Sequence, residues 1–235
     1  MLVTIVIRVS AIKLVVFDIA GTIIEDRGEV LEAFAGALDH GGIAFSGAEL
    51  QEWKGASKRE VIRHFVQRQH GVGSGEAVAA TYAEFRRKLE GHYREKGVIP
   101  IAGAAETFAG LRERGIRIAT TYGFYREVST LTLELAGWSE IFDANISSSD
   151  VVMGRPAPFM IFRAMEATGV TSVHEVINLG DTPLDLQAGT NAGVREVVGV
   201  LTGLHGKDRL EQEPHTALLP SVADLPAWIK TRYPV

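Results

Sequence analysis

The chain has 235 residues, 46% of them hydrophobic, with eight prolines and a net charge of −5, enough to bury one sizeable core and carry a smaller inserted module. Acidic and basic residues are interspersed without a long basic face, which argues against nucleic acid as a partner. The absence of cysteine excludes disulfides, thiolate metal sites and a cysteine nucleophile, and fits a reducing, cytoplasmic location.

The chain opens on the apolar stretch MLVTIVIRVSAIKLVVFD, whose residues 1–10 read as an extra strand or a tail. Arg8 and Lys13 interrupt it short of the roughly 20 apolar residues that span a bilayer, so no membrane partner is expected. The run KLVVF at 13–17 reads as a strand that delivers Asp18 into a Gly-Thr turn. Residues 28–97 then contain helical patterns and no convincing strand. SGAELQEW from Ser46 and SKREVIRHFVQRQHG from Ser57 each open with a Ser-x-x-Glu capping box. The stretch from Gly75 predicts a long helix, supported by Glu84/Lys88 and Glu90/Arg94 and stopped by Gly97. An all-helical insert here reads as a cap over strand ends or as an extension packed on the side of a sheet.

Further along, IRIAT at 116–120, ANIS at 144–147, VINLG at 176–180 and REVVGV at 195–200 read as strands separated by helices, and SVADLPAWIK as a closing helix. This alternation predicts an α/β fold, a Rossmann-like parallel sheet covered on both faces. Its expected core is 11–27 and 98–235, with the helical cap at 28–97. In such sheets chemistry gathers at the C-terminal strand ends, where Asp18, Thr121 and Asp181 fall.

In NLGDTPLDLQAG, Thr182 suits a helix cap and Pro183 the first turn, which fixes the backbone where Asp181 emerges; Asp185 shares its helix face. Alone, the two acids also fit a turn residue and a solvated helix acid. Joined to Asp18, they form a set able to hold Mg2+, beside which a carboxylate can attack phosphorus. Arg155, in MGRPAPF, is either the positive partner of a phosphoryl group or a surface arginine before a helix.

FDIAGT, the region after IRIAT, GRPAP and GDTPLD follow in the order of the four motifs of the haloacid dehalogenase superfamily. The resemblance implies a helical cap after the first motif, Mg2+ held by Asp18, the carbonyl of Ala20, Asp181 and Asp185, and Asp18 as nucleophile. It places Thr22, Gly55, Thr121, Tyr122 and Gly123 around the substrate. Phosphatases of the superfamily usually carry a second aspartate where this chain has Ala20. Asp-x-Ala-Gly-Thr with arginine in the third motif resembles the phosphonatase branch, which cleaves a carbon–phosphorus bond through a lysine imine. Lys58, in WKGASKRE, aligns with that lysine. Its place in a first helical turn, with Lys54 and Arg59 nearby, favours the neutral amine; an exposed lysine in a charged loop is the other reading.

The pattern departs from that branch in three places. Val61 stands where a histidine supports the lysine, with His64 on another side of the helix, and Lys54 replaces a methionine. Tyr122 stands where Ser or Thr usually binds the phosphoryl group: it donates from farther away, or packs under the cap, with Thr121 taking over only after a one-residue shift. The histidines read as surface or cap packing, and Trp53 and Phe65 as core. Three functions fit: hydrolysis of a small phosphonate through an aspartyl-phosphate, a phosphomonoesterase acting on a phosphorylated metabolite, or a weakened phosphoryl-binding protein. A monomer or homodimer is expected.

Overall fold

The run Leu14–Phe17 forms the central strand β1, and the two-residue period of a strand divides it between two cores. Val15 and Phe17 join one apolar cluster, Leu14 and Val16 the other. A strand covered on both faces needs no polar alternation, which is why this run is continuously apolar. The computed structural model describes residues 12–53 and 57–234; the expected strand or tail at 1–10 lies outside them.

Beside β1, the described residues contribute β2 (Arg117–Tyr122), β3 (Ala144–Ser147), β4 (Val176–Gly180), β5 (Glu196–Val200) and β6 (Ala217–Leu219), in the order β3-β2-β1-β4-β5-β6, all paired parallel. The Rossmann-like α/β expectation holds. β6 adds an edge strand that the sequence reading lacked, and β2 runs two residues past IRIAT. Thr121 and Tyr122 are therefore strand residues, paired with Ile146 and Ser147 of β3, and not a turn. Phe17 anchors one layer through edge-on contacts to Phe108 and Phe142, with Trp138 edge-on to Phe108.

Between β1 and α5 (Ala104–Glu113) lie α1 (Glu29–His40), α2 (Gly47–Glu52), α3 (Lys58–His70) and α4 (Gly75–Lys96). Downstream come α6 (Arg126–Leu135), α7 (Phe159–Thr168), α8 (Pro183–Ala192), α9 (Lys207–Leu210) and α10 (Leu225–Arg232). The buried stripe of α4 is Thr81, Phe85, Leu89 and Tyr93, spaced by four as one helix face requires. Phe85 stacks on Phe34 of α1 with ring centroids 4.4 Å apart. The Ser46–Glu49 capping box forms, with both reciprocal bonds present. The one expected at Ser57 and Glu60 does not: Ser57 occupies the N-cap position without a side-chain bond, and both residues line a cavity.

The helices α1–α4 rest on the sheet where β2 ends. The Tyr125 hydroxyl donates to Glu90 Oε1 at 3.1 Å, Arg86 pairs with Glu127 at 2.8 Å, and the hydroxyls of Tyr93 and Tyr122 lie 3.4 Å apart. At the base, the Arg27 guanidinium bonds both Glu29 and the carbonyl of Gly97, tying together the two chain segments that enter and leave the helices.

Candidate active site

Phe17 is in register with Leu179, so Asp18 and Asp181 leave adjacent strands side by side. The chain runs from β1 to β2 and β3 on one flank and through β4 to β6 on the other, so these acids stand at the switch point where open parallel sheets bind ligands. At the head of α8, the Asp185 carboxylate accepts from the Thr182 amide at 3.0 Å and the Thr182 hydroxyl at 2.6 Å through Oδ2. Its Oδ1 remains for Arg155 Nη1, at 2.8 Å. The same Nη1 lies 2.7 Å from Asp18 Oδ1. One oxygen from each of Asp18, Asp181 and Asp185 falls within 4.8 Å of the others, and all three residues are buried.

Asp181 is gripped on both oxygens, by the Thr22 hydroxyl at 3.2 Å and the Leu204 amide at 3.1 Å. Two glycines permit this grip. Gly21 sits at φ +85°, and a Cβ there would lie 2.5 Å from Asp181 Oδ2; at Gly203 it would lie 1.9 Å away. The Thr202 hydroxyl donates to the Gly21 carbonyl at 2.7 Å, so the loop after β5 locks the turn after β1.

Three buried acids this close oppose one another's charge. Burial raises Asp18 to about 6, with Arg155 pulling it down and Asp185 pushing it up. Burial, then Asp18 and Asp185, raise Asp181 well above the usual carboxylate range. Burial also works against the charge of Arg155, but Asp185 and Asp18 outweigh it and hold the guanidinium protonated. Arg155→Ala is expected to destabilise the fold by about 3–5 kcal/mol at neutral pH, because it strands buried carboxylates. Asp18 takes its proton near 6 when folded with Arg155 pulling it down, against 3.8 as an unperturbed group; without Arg155 its folded value lies higher still, and the stranded-charge penalty exists above that value and fades as pH falls through it. Urea unfolding of wild type and variant at about pH 7.5 and pH 5.5 measures the difference.

Thr22 and Thr121, both expected around the substrate, bond the charged residues of the site, Asp181 and Arg155. Thr22 is fully buried on Asp181, and the Thr121 hydroxyl and carbonyl both accept from Arg155 Nη2 at 2.8 Å. Thr121 thereby aims the guanidinium. Tyr122 lines the cavity with its ring against Phe124, centroids 4.7 Å apart. Burial, followed by Tyr93, pushes its phenol up, so it stays a neutral hydrogen-bonding group. Lys58, the first residue of α3, is half-buried with Nζ 4.4 Å from the centre of the Phe124 ring. Burial and then Arg155 lower its amine to about 8. Gly55 and Lys54 lie outside the described residues. Val61 is fully buried and cannot meet the cavity, while His64 packs on Trp53 at 4.6 Å.

Asp18, Ala20, Lys58, Gly123, Arg155 and Asp181 open into one cavity of about 870 Å³ between the sheet and the helices. Against this geometry, the profile of the haloacid dehalogenase-like hydrolases matches residues 15–200. The chain belongs to that family. Among haloacid dehalogenase-like hydrolases it is similar to phosphonoacetaldehyde hydrolase of Bacillus cereus, 30% identical over 217 residues, 86% of this chain and 80% of that one. It is also 32% identical over 201 residues to the bifunctional phosphonoacetaldehyde hydrolase/aminoethylphosphonate transaminase of Clostridioides difficile (strain 630), covering 79% of this chain and 31% of that one. In fold it resembles a phosphonoacetaldehyde hydrolase like protein from Oleispira antarctica, with a TM-score of 0.81, 23% identity and coverage of 95% and 93% of the two chains. The chain is thus a hydrolase related to phosphonatases, with a buried acidic triad.

Among the described residues no helix is long and apolar enough to cross a membrane. The sequence reading missed the contribution of Gly203 and Leu204. Its one signal was a glycine three positions beyond the strand run REVVGV, in LTGLHG.

Proposed function

We propose that this protein hydrolyses a small phosphonate in a Mg2+-dependent reaction through an aspartyl-phosphate at Asp18, with Lys58 forming an imine to the substrate carbonyl and residues 28–97 acting as the cap. One observation carries the reading: a carboxylate at Asp18 and a half-buried amine at Lys58 line the same cavity, and so does Ala20, two residues after Asp18 where the family's phosphatases usually carry an acid.

The three clustered carboxylate oxygens fit a hard cation, since burial and mutual repulsion leave Asp181 short of positive charge. Asp18, the carbonyl of Ala20 and Asp181 would hold Mg2+, with Asp185 in support. Bound there, the ion would screen phosphoryl oxygens from the attacking carboxylate.

The neutral Lys58 amine condenses with the substrate carbonyl, releasing water and taking up a proton to leave a protonated imine. Asp18 then attacks phosphorus as the carbon–phosphorus bond breaks. The electron pair of that bond moves through carbon to the imine nitrogen, giving an enamine, so no acid at position 20 is needed. Protonation at carbon and hydrolysis free the aldehyde or ketone and restore Lys58, while water cleaves the aspartyl-phosphate to phosphate. Arg155, held by Thr121, Asp18 and Asp185, supplies positive charge beside the nucleophile.

Asp181→Asn, or chelation of divalent ions, is expected to abolish phosphate release from phosphonoacetaldehyde while circular dichroism stays native; full activity under either condition would remove the metal from the mechanism. Ala20→Asp returns an acid to the cavity. It is expected to gain hydrolysis of a phosphate ester such as p-nitrophenyl phosphate by about 10²-fold, the lower scale of a positioned general acid. Efficient ester hydrolysis by the unaltered chain would favour a phosphomonoesterase instead.

A further inference from the structure

The helices give the cavity an apolar wall larger than a two-carbon aldehyde needs. Val30, Leu31 and Phe34 of α1, Leu50 of α2, Trp53 just after it and Tyr82 of α4 all line it, while Asp18 and Asp181 come from strand ends, Arg155 from the loop before α7, and Lys58, Arg59 and Glu60 from the first turn of α3. The volume of about 870 Å³ lies in the upper part of the ~300–1,000 Å³ range of pockets that enclose drug-sized ligands. This space does not come from parted layers. The helices are docked through Arg86–Glu127 at 2.8 Å, Tyr125–Glu90 at 3.1 Å and the Lys58 contact to Phe124 at 4.4 Å. Phosphonoacetaldehyde would leave most of it to water.

Two rings of the wall are packed from behind. Phe34 is held by its stack on Phe85, and Trp53 by its 4.6 Å packing on His64. Trp53 and Tyr82 are half-buried and line the cavity, Tyr82 with the Arg59 guanidinium 5.9 Å over its ring, so both present aromatic surface inside a concavity, where a ligand gains most from covering it.

We propose that the substrate carries a ring-sized apolar group on its organic portion, seated against Phe34, Leu50, Trp53 and Tyr82 while its phosphoryl group meets Asp18 and Arg155. This rests on the phosphonate-hydrolase reading above and narrows it to a substrate class.

The test is calorimetric titration of the full chain with Mg2+, using methylphosphonate and benzylphosphonate, which lack the carbonyl that turnover requires. Burying a phenyl ring should tighten binding by about tenfold or more, with both ligands displaced by inorganic phosphate. Trp53→Ala, or Tyr82→Ala should the first fail to fold, should reduce the benzyl-to-methyl ratio to under about threefold. Equal affinities, or a ratio unmoved by the folded variants, would overturn the apolar group and leave the phosphoryl site standing. Benzylphosphonate that phosphate cannot displace would do the same, since the ring would be seated elsewhere. Binding of neither phosphonate nor phosphate would overturn both readings.

Discussion

Asp18→Asn is expected to lose turnover by about 10⁴-fold or more, the scale on which a nucleophile acting within a set fails when it alone is removed. The amide keeps the shape of the carboxylate but cannot attack phosphorus. The fold should survive, because Arg155 retains Asp185 at 2.8 Å and Thr121 at 2.8 Å. Removing one of three mutually repelling acids also relieves the strain that raises Asp181. Steady-state phosphate release and thermal unfolding, measured on the same preparation, separate the two effects. Retained turnover would move the nucleophile elsewhere.

Lys58→Arg is expected to reduce turnover of an aldehyde phosphonate by about 10³-fold, comparable to removing a group that stabilises charge in the transition state. Guanidinium stays protonated and forms no imine, so the electron pair released from the carbon–phosphorus bond has no acceptor. The charge and much of the contact with Phe124 are kept, which makes the loss specific to the amine. Burial, followed by Arg155, sets the Lys58 amine near 8. The nucleophilic fraction therefore rises with pH through that value, and a rate limited by imine formation should climb between about pH 7 and pH 9 before levelling. Borohydride added with the aldehyde phosphonate should leave a reduced adduct on Lys58 in the wild type and none in the variant.

The acids were legible because their positions depend on residue type. Asp18 and Asp181 follow apolar runs that can only be buried strands, and Thr182 and Pro183 announce the helix that carries Asp185. The helices between β1 and α5 were legible from period and from the stop at Gly97. Other features left no such trace. The three residues of β6 are too short to show a period. The last two residues of β2 are strand because β3 pairs with them, a tertiary fact that placed Thr121 under Arg155. Leu204 serves through its backbone amide, which any residue but proline supplies. Trp53 read as core because its spacing marks an apolar face without saying whether protein or a ligand covers it.

The most direct measurement is to mix the protein with Mg2+ and phosphonoacetaldehyde, quench in acid, reduce with borohydride and map the peptides by mass. An aspartyl-phosphate is reduced to homoserine, so the account predicts homoserine at position 18, dependent on substrate and absent from Asp18→Asn. Phosphate released with Asp18 unmodified, or homoserine at another position, would contradict it.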